Sequence, residues 1–427
     1  MPKVVYDLTE AFVAATGKYP YYGIVRVVEA IGCELYRLDP DIRFGFFSHA
    51  FSRFYEVRPR IDPDTGLVDL NLPRNVKQIH HLRKRFYSAD AVRDAFLPAA
   101  HWVIQVINRW GWARSGFEFK ELDMEGAVLV STGRPKHMVA ALDALDQANV
   151  SYDFIPLLFD MFPLHNFSPD SSKAFPRNFV GDNSHAIAHA SRIIAISEHT
   201  KLEIQEFSAK GTLPELPDII VVPLVQECLP GPEEVRKLPP EDPYILTVGA
   251  TIGRKNLETV FDAMLYAHQN DMFIPRLALA GAPRKHVQSY VDQSRYDPIR
   301  DHIDFITNPN QAELIELYKH AIALVLPSRL EGWGLPAGEA LWNGTPVICA
   351  DIPVLHEVCG DLGLYFDPDS PIELAGLILR LQIDKDFETD LRTRIADAAP
   401  QLRTWADVAR DVKHVYDTAG QDAERKD

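Results

Sequence analysis

Short apolar runs alternate with segments of helical periodicity along the whole chain. The predicted strands are Ala127–Val130, Tyr152–Phe159, Arg192–Ile196, Ile219–Val222, Tyr244–Val248, Leu277–Ala280, Ile303–Ile306, Ile322–Leu326 and Val347–Cys349. Several are apolar on both faces, as expected for strands of a parallel sheet that helices cover on both sides. Between them, Leu257–His268 and Gln311–His320 have the spacing of amphipathic helices. The alternation predicts βαβ units, and therefore an α/β protein with parallel sheets.

The pattern breaks once, at Gln226–Pro243, where five prolines and mixed charges occur within 18 residues. Such a stretch suits neither a central strand nor a long helix, so it is predicted to be a linker. The predicted organisation is an N-terminal α/β domain over 1–225, the linker 226–243, a second α/β domain over 244–403 and a C-terminal helix over 404–427. Open α/β sheets bind ligands at the carboxyl ends of their strands, so we expect the functional site there.

Composition narrows the class of protein. The 427 residues carry a net charge of −16, with 46% hydrophobic and 24% charged residues. These values exclude a disordered or fibrous chain, and the acidic balance argues against a nucleic-acid partner. The cysteines at 33, 228, 349 and 359 form no CxxC pair, which favours thiols in a reducing compartment. No secretory signal or membrane-spanning run is recognisable, so a cytoplasmic location is expected.

One basic and aromatic region, residues 74–112, allows two interpretations. Arg74–Arg85 holds five Lys or Arg, two His and no acid, and Phe96–Trp112 follows with Trp102, Trp110 and Trp112. Cations beside indoles suit peripheral contact with an anionic membrane surface. Alternatively, a solvated basic helix lies beside a core helix, with the tryptophans packed inside. Of the two, the second is the commoner arrangement for a run of charges.

The densest chemical signal is Ser328–Gly344, with the sequence SRLEGWGLPAGEALWNG. Glu331 and Glu339 flank a Gly-rich loop, a predicted strand precedes it, and a helix is predicted to begin near Leu335 with Pro336 in its first turn. Gly332 and Gly334 let a ligand approach the backbone, and the N–H groups at the helix start favour an anion. Carboxylates accept hydrogen bonds from vicinal hydroxyls, so the pattern suits a sugar and a ribose joined by a diphosphate.

This stretch resembles the E-x7-E signature of retaining, nucleotide-sugar-dependent glycosyltransferases of family four, also called group 1. Pro327–Ser328, EGWGLPAGEALWNGTPVICADIPVLHEVCGD and LYFDP match the family's run, and LTVGATIGRKN at Leu246–Asn256 and the strand and turn at Leu277–Gly281 resemble its upstream segments. The match is dense over about residues 240–410 and faint before 190. It implies the GT-B fold, in which two Rossmann-like domains face each other across a cleft.

The resemblance also implies roles in the second domain. Arg254 and Lys255 would hold the donor diphosphate, Glu331 would contact the donor sugar, and Glu339 would contact the ribose hydroxyls. Gly334 and Leu335 would offer backbone N–H groups, and Gly249 would clear space at the end of its strand. The full predicted donor-binding set is Gly23, Gly249, Thr251, Arg254, Lys255, Gly281, Ser328, Glu331, Gly332, Trp333, Gly334, Leu335 and Glu339.

In the first domain the resemblance is weaker. Tyr21–Arg26 offers only Gly23 where the family usually has a pair of glycines, and Arg26 lies beside it as a predicted acceptor-binding residue. Phe159 stands where a His often precedes Asp in the family. Asp160 is predicted to orient an acceptor hydroxyl or to take its proton, the alternative being an Asx turn at a strand end. The predicted catalytic set is therefore Glu331, Arg254, Lys255 and Asp160.

The predicted reaction is transfer of a hexose-type sugar from a GDP- or UDP-linked donor to a hydroxyl of a glycan or lipid-linked glycan, in bacterial surface polysaccharide synthesis. The resemblance implies retention of configuration without a metal or another cofactor. His185 and His189 are four residues apart, but Ala follows the first, so they are interpreted as two satisfied histidines on a helix. The alternatives are a sugar-nucleotide-binding module without catalysis and a glycan phosphorylase.

Overall fold

The structure is a computed structural model that describes residues 3–16, 23–73, 76, 91–165, 174–230, 234–235, 240, 242–249, 252–281 and 285–424. The described residues form two compact units. One draws on Met1–Leu164, Ser171–Pro223 and Trp405–Asp427, and the other on His165–Asp170 and Leu224–Thr404.

The first unit is built on a seven-stranded sheet in which all neighbouring strands are parallel except the edge pair β2 and β3. The strands, with a separate hairpin β4–β5, are β1 Lys3–Asp7, β2 Arg43–Ser48, β3 Arg53–Val57, β4 Arg60–Ile61, β5 Val68–Asp69, β6 Ala127–Ser131, β7 Tyr152–Leu158, β8 Arg192–Ala195 and β9 Asp218–Val221. The sheet order is β3-β2-β1-β6-β7-β8-β9. The helices before the second unit are α1 Thr9–Thr16, α2 Gly23–Leu38, α3 Ala91–Ser115, α4 Pro135–Gln147, α5 Ala174–His189 and α6 Glu198–Ala209.

The second unit has a six-stranded, fully parallel sheet in the order β12-β11-β10-β13-β14-β15. Its strands are β10 Tyr244–Val248, β11 Arg276–Gly281, β12 Ile303–Thr307, β13 Ala323–Leu326, β14 Val347–Ala350 and β15 Gly363–Phe366. Its helices are α7 Leu257–Gln269, α8 Lys285–Val291, α9 Gln311–His320, α10 Leu335–Trp342, α11 Pro353–Cys359, α12 Pro371–Ile383 and α13 Lys385–Ala398. Numbered within the unit, this is the doubly wound order 3-2-1-4-5-6.

The predicted strands are present, with ends that differ by one residue in most cases. Six strands, β1 to β5 and β15, were not predicted from the sequence. β1 spans only five residues, and yet it lies inside the sheet between β2 and β6. Its position depends on pairing with distant strands, which a local pattern of five residues does not reveal.

The predicted linker 226–243 is described in part, and its first residues pack against the second unit. The Gln226 side chain donates to the Val358 carbonyl at 2.9 Å and accepts from the Arg403 backbone N–H at 2.8 Å. Cys228, two residues further along the chain, is also buried. The chain therefore joins the second unit before the proline-rich stretch rather than after it.

Helix α14, Trp405–Glu424, belongs to the first unit although it follows the second in sequence. It packs against α2 and buries Val408, Val412 and Val415. Asp39 directly follows α2. The Tyr416 hydroxyl donates to its Oδ2 at 2.7 Å, and Lys413 Nζ lies 3.2 Å from the same oxygen. Burial alone would raise the pKa of Asp39, but these contacts and the backbone N–H of Asp41 hold it below its usual value.

We expect Tyr416→Phe to lower the free energy of unfolding of the first unit by about 1.5–3 kcal/mol, because a buried hydrogen bond to a charged group is lost. Since the pKa of Asp39 is depressed on folding, this contribution is present above its unfolded pKa of about 3.9 and is lost as pH falls further. Urea unfolding at pH 7 and pH 3 measures both effects. Tyr152→Phe is the matched control, because Tyr152 bonds Asp146 at 2.8 Å in an exposed pair. An equal loss in the control would contradict the expectation.

Candidate active site

The second sheet reverses its strand order between β10 and β13, which are neighbouring parallel strands. The loops that follow these two strands must therefore diverge, and a crevice opens at their carboxyl ends. One loop runs from β10 to α7 and the other from β13 to α10. A backbone hydrogen bond of 2.9 Å, from the Arg329 N–H to the Arg254 carbonyl, connects the two loops. The residues of both loops therefore share one site.

Three charged side chains meet at this point. Lys255 Nζ donates to Glu331 Oε1, and Arg254 Nη1 donates to Glu331 Oε2 at 3.1 Å and to the Leu330 carbonyl at 2.6 Å. Glu331 has 11% of its side chain exposed, against 23% for Arg254 and 17% for Lys255. The cluster has two cations for one anion, so it keeps a net positive charge at the edge of the sheet.

The two cations determine the ionisation of Glu331. Burial alone would raise the pKa of this carboxyl, but the charges of Lys255 and Arg254, followed by a hydrogen bond from Lys255, lower the pKa to about 2. Glu331 is therefore ionised at every physiological pH, and its charge orients both cations. Ser328, at the start of the same loop, is fully buried.

Two glycines have the backbone geometry that the site requires. Gly249 at the end of β10 has φ +98°, and a Cβ there would stand 3.7 Å from Lys255 Cε. Gly334 has φ +107°, and a Cβ there would stand 2.7 Å from Leu355 Cδ2. A larger residue at Gly334 would be strained and would clash. Gly334 directly precedes α10, which begins at the predicted Leu335.

The rest of the predicted donor set is distributed around these loops. Trp333 is buried, and its indole N–H donates to the Val225 carbonyl at 3.0 Å, so its side chain anchors the loop within the second unit. Gly281 ends β11, the strand next to β10, and Gly332 and Leu335 are partly exposed. Thr251 lies outside the described residues.

Glu339 is placed by a residue that the sequence analysis did not identify. It lies in α10 with 2% of its surface exposed, and the Tyr318 hydroxyl of α9 donates to its Oε2 at 2.8 Å. Tyr318 is itself fully buried, and its carbonyl accepts from the Thr345 hydroxyl at 2.7 Å. The signal in the sequence was only a tyrosine on the apolar face of a predicted helix, which is typical of core residues.

The first unit holds the remaining predicted residues. Gly23 is the exposed first residue of α2, Arg26 lies in the first turn of that helix, and Asp160 follows β7 in a partly exposed position. Glu331, in contrast, belongs to the second unit.

A further ion pair occupies the strand-order reversal of the first sheet, between β1 and β6. Glu10 follows β1, and Arg134 follows β6. Glu10 accepts from the Arg134 guanidinium at 2.6 and 2.9 Å and from the Arg134 backbone N–H at 2.8 Å. The carboxylate thereby bonds the residue that directly precedes α4. This pair was not predicted from the sequence.

Within the described residues, no group of three or more His, Cys, Asp or Glu side chains is arranged to hold a metal ion. His185 and His189 each face a carboxylate of α4, with His185 Nε2 at 3.1 Å from Asp143 and His189 Nε2 at 3.0 Å from Asp146. None of the described helices is both long enough and apolar enough to cross a membrane.

Solved structures with this architecture cover almost the whole chain. A sucrose-phosphate synthase from Thermosynechococcus elongatus aligns with 99% of this chain and all of its own, at 16% identity and a TM-score of 0.64. The HepE protein of Anabaena, solved in complex with UDP and glucose, aligns with 98% of this chain and all of its own, at 16% identity and a TM-score of 0.60. The fold is that of the GT-B glycosyltransferases.

Residues 233–402 match the family of glycosyl transferases group 1, which confirms the resemblance inferred from the sequence over the second unit. The O-antigen chain mannosyltransferase RfbU of Salmonella typhimurium is 35% identical over 128 residues, which is 30% of this chain and 35% of that protein. The O-antigen chain mannosyltransferase B of Escherichia coli is 33% identical over 104 residues, 24% of this chain and 27% of that protein. The matches therefore span about a third or less of these relatives.

We expect Glu331→Gln to lower the free energy of unfolding by an amount that depends on pH. The folded pKa of about 2 lies below the ordinary value of 4.5, so the ionised carboxylate stabilises the fold above pH 4.5 and loses this effect as pH falls toward 2. The difference between wild type and variant should reach roughly 3 kcal/mol at pH 7 and shrink in acid. Urea unfolding at several pH values measures it.

Glu206→Gln is the control, because Glu206 pairs with Lys210 in an exposed position. Glu206→Gln should lower the free energy of unfolding by less than ~1 kcal/mol at pH 7. A difference between wild type and Glu331→Gln that stays constant from pH 7 to pH 2 would contradict the assigned charge pairing.

Proposed function

We propose that this protein is a glycosyltransferase that moves a hexose-type sugar from a nucleoside-diphosphate sugar to a hydroxyl acceptor. The observation that carries the proposal is the cluster of Lys255, Glu331 and Arg254 at the strand-order reversal of the second sheet. A nucleoside diphosphate needs fixed cations, and the donor sugar needs a hydrogen-bond acceptor beside them. Both are supplied here within one set of contacts.

The chemical role of the cations follows from the charge of the leaving group. As the glycosyl bond breaks, the electron pair of that bond passes to the diphosphate oxygen, which becomes more negative. Cations already oriented toward that oxygen stabilise the transition state without further rearrangement. Arg254 presents a planar fork and Lys255 a compact charge, so together they suit a diphosphate.

Glu331 holds these cations in place and is proposed to accept a hydrogen bond from a donor-sugar hydroxyl. The Gly334–Leu335 backbone at the start of α10 would receive the diphosphate, and Glu339, held by Tyr318, would meet the ribose hydroxyls. In the first unit, Gly23 would lie over the donor, while Arg26 and Asp160 would position the acceptor. We propose retention of configuration by front-face attack that the leaving phosphate assists, without a metal or another cofactor.

The relatives suggest the biological setting. Two of them are named O-antigen chain mannosyltransferases, and the HepE structure contains UDP and glucose. We therefore propose a GDP- or UDP-linked hexose as donor and a glycan or lipid-linked glycan as acceptor, in the synthesis of bacterial surface polysaccharide. A cytoplasmic location agrees with the four cysteines, which are all described and form no disulfide.

Two alternative functions remain testable. A binding module without catalysis would bind the donor but release no nucleoside diphosphate. A glycan phosphorylase would contain pyridoxal phosphate on a lysine, which the absorbance spectrum of the purified protein would show.

A screen of donors tests binding directly. We expect a UDP- or GDP-sugar to raise the melting temperature, whereas ADP- and dTDP-sugars should have smaller effects. A donor present at 100 times its Kd stabilises by about 2.7 kcal/mol, which a thermal-shift assay detects. If no nucleoside-diphosphate sugar stabilises the protein, the proposed donor class is wrong.

Turnover tests catalysis. We expect Glu331→Ala and Arg254→Ala each to lower kcat by at least ~100-fold, the scale for losing one charge-stabilising contact in a transition state. Glu388→Ala is the matched control, because Glu388 also lies between a lysine and an arginine, Lys385 at 2.8 Å and Arg392 at 3.1 Å, but on α13. Near-normal turnover in both site variants, with the fold intact, would refute the assignment.

The role of Tyr318 is separable from that of the cations. Tyr318→Phe removes the hydroxyl that holds Glu339, so we expect the KM for the donor to rise about fivefold, the scale of one net hydrogen bond, with a smaller change in kcat. Tyr244→Phe is the control, since its hydroxyl is equally buried and donates to the Leu317 carbonyl at 2.8 Å. Equal KM values in the two variants would contradict a positioning role.

A further inference from the structure

Among the described side chains of helix α3 in the first unit, two opposite faces can be distinguished. One face is buried through Ile104 and Trp112. The Trp112 ring stacks on Phe119 with centroids 3.7 Å apart and meets Phe51 edge-on at 4.5 Å. This face docks α3 on its own unit.

The other face is apolar and exposed. Trp102 and Trp110 have 67% and 61% of their surface exposed, and three aliphatic side chains between them are 45–47% exposed, namely Val103, Val106 and Ile107. The spacing of these five residues puts them on one side of the helix. An exposed, contiguous apolar face is a common mark of an interaction site, so this face is suited to a further partner.

The charge around this face indicates the kind of partner. Arg109 and Arg114 are both exposed near its C-terminal end, and the Arg114 guanidinium lies 3.4 Å from the centroid of the Trp110 ring. Between Ala95 and Phe117 the sequence contains no Asp or Glu, although the whole chain has a net charge of −16. The face is therefore a local cationic and aromatic strip on an acidic protein.

We infer that the exposed face of α3, defined by Trp102, Val103, Val106, Ile107 and Trp110, binds the surface of an anionic phospholipid membrane. Indoles favour the boundary between headgroups and acyl chains, aliphatic side chains insert beneath the headgroups, and arginines pair with lipid phosphates. A second copy of this chain fits less well, because an isologous contact uses the same face on both sides, and between Ala95 and Phe117 the sequence has no Asp or Glu to pair with the two arginines. Two of the three tryptophans predicted to suit a membrane surface thus lie on this face, and Trp112 lies in the core.

The sequence-predicted basic segment Arg74–Arg85 lies outside the described residues except for Val76, so the inferred surface does not include it. The inference is also independent of the proposed transfer reaction, because lipid binding can be measured without a donor or an acceptor.

The test is co-sedimentation of the full chain with vesicles of equal parts phosphatidylglycerol and phosphatidylcholine, and with vesicles of phosphatidylcholine alone. We expect binding to the anionic vesicles that weakens several-fold when salt is raised from 0.1 M to 0.5 M, because screening shortens the reach of the arginine charges. Binding to the neutral vesicles should be much weaker. Absence of binding to anionic vesicles, or equal binding to both, would overturn the inference.

The double variant Trp102→Ser, Trp110→Ser should lose at least ~10-fold in vesicle affinity while its melting temperature stays unchanged, because both indoles are exposed. Phe273→Ser is the matched control, since Phe273 is 54% exposed on the second unit and should bind like wild type. If the double variant binds like wild type, another segment mediates the contact and the inference is wrong.

Sedimentation equilibrium without lipid tests the other possible occupant of this face, a second copy of the chain. A wild-type dimer that the double variant converts to a monomer would assign this face to an interface between copies, and would overturn the membrane assignment. An equal oligomeric state in both proteins, together with the loss of vesicle binding, supports it.

Discussion

The pairing of Glu331 with Lys255 and Arg254 is the interaction on which the candidate site depends. A carboxylate with so little solvent exposure is stable only because two cations offset its burial, and its pKa of about 2 reflects that balance. The same contacts bring together two loops whose residues are more than 70 positions apart in the chain. One set of bonds therefore determines both the geometry and the charge of the site.

The topology of the sheet explains why these residues meet. β10 and β13 are neighbours because the strand order reverses between them, so both following loops end at the same crevice. The first sheet shows a comparable arrangement, where Glu10 after β1 pairs with Arg134 after β6. In that case the carboxylate is fully enclosed and bonds the residue before α4. The second unit instead has two cations for its one carboxylate, so a positive charge is left over that suits an anionic ligand.

The sequence predicted local features well and long-range contacts poorly. Helix α9 has the predicted bounds and α10 begins at the predicted Leu335, because amphipathic spacing and the Gly-Leu-Pro start are local signals. The resemblance assigned roles to Glu331 and Lys255, but their mutual bond depends on strand order. The Tyr318–Glu339 bond depends on how α9 lies against α10, so no pattern within either helix indicated it. Likewise, only the structure could separate the buried Trp112 from the exposed Trp102 and Trp110.

The return of α14 to the first unit has a consequence for the order in which the protein can fold during synthesis. The face of α2 that α14 covers, and Asp39 beyond it, are translated long before Val412 and Tyr416. A ribosome-bound chain therefore exposes that apolar face throughout the translation of the second unit, whose residues can fold without waiting. The N-terminal unit is completed last, and a truncation that removes α14 would damage it while leaving the second sheet intact.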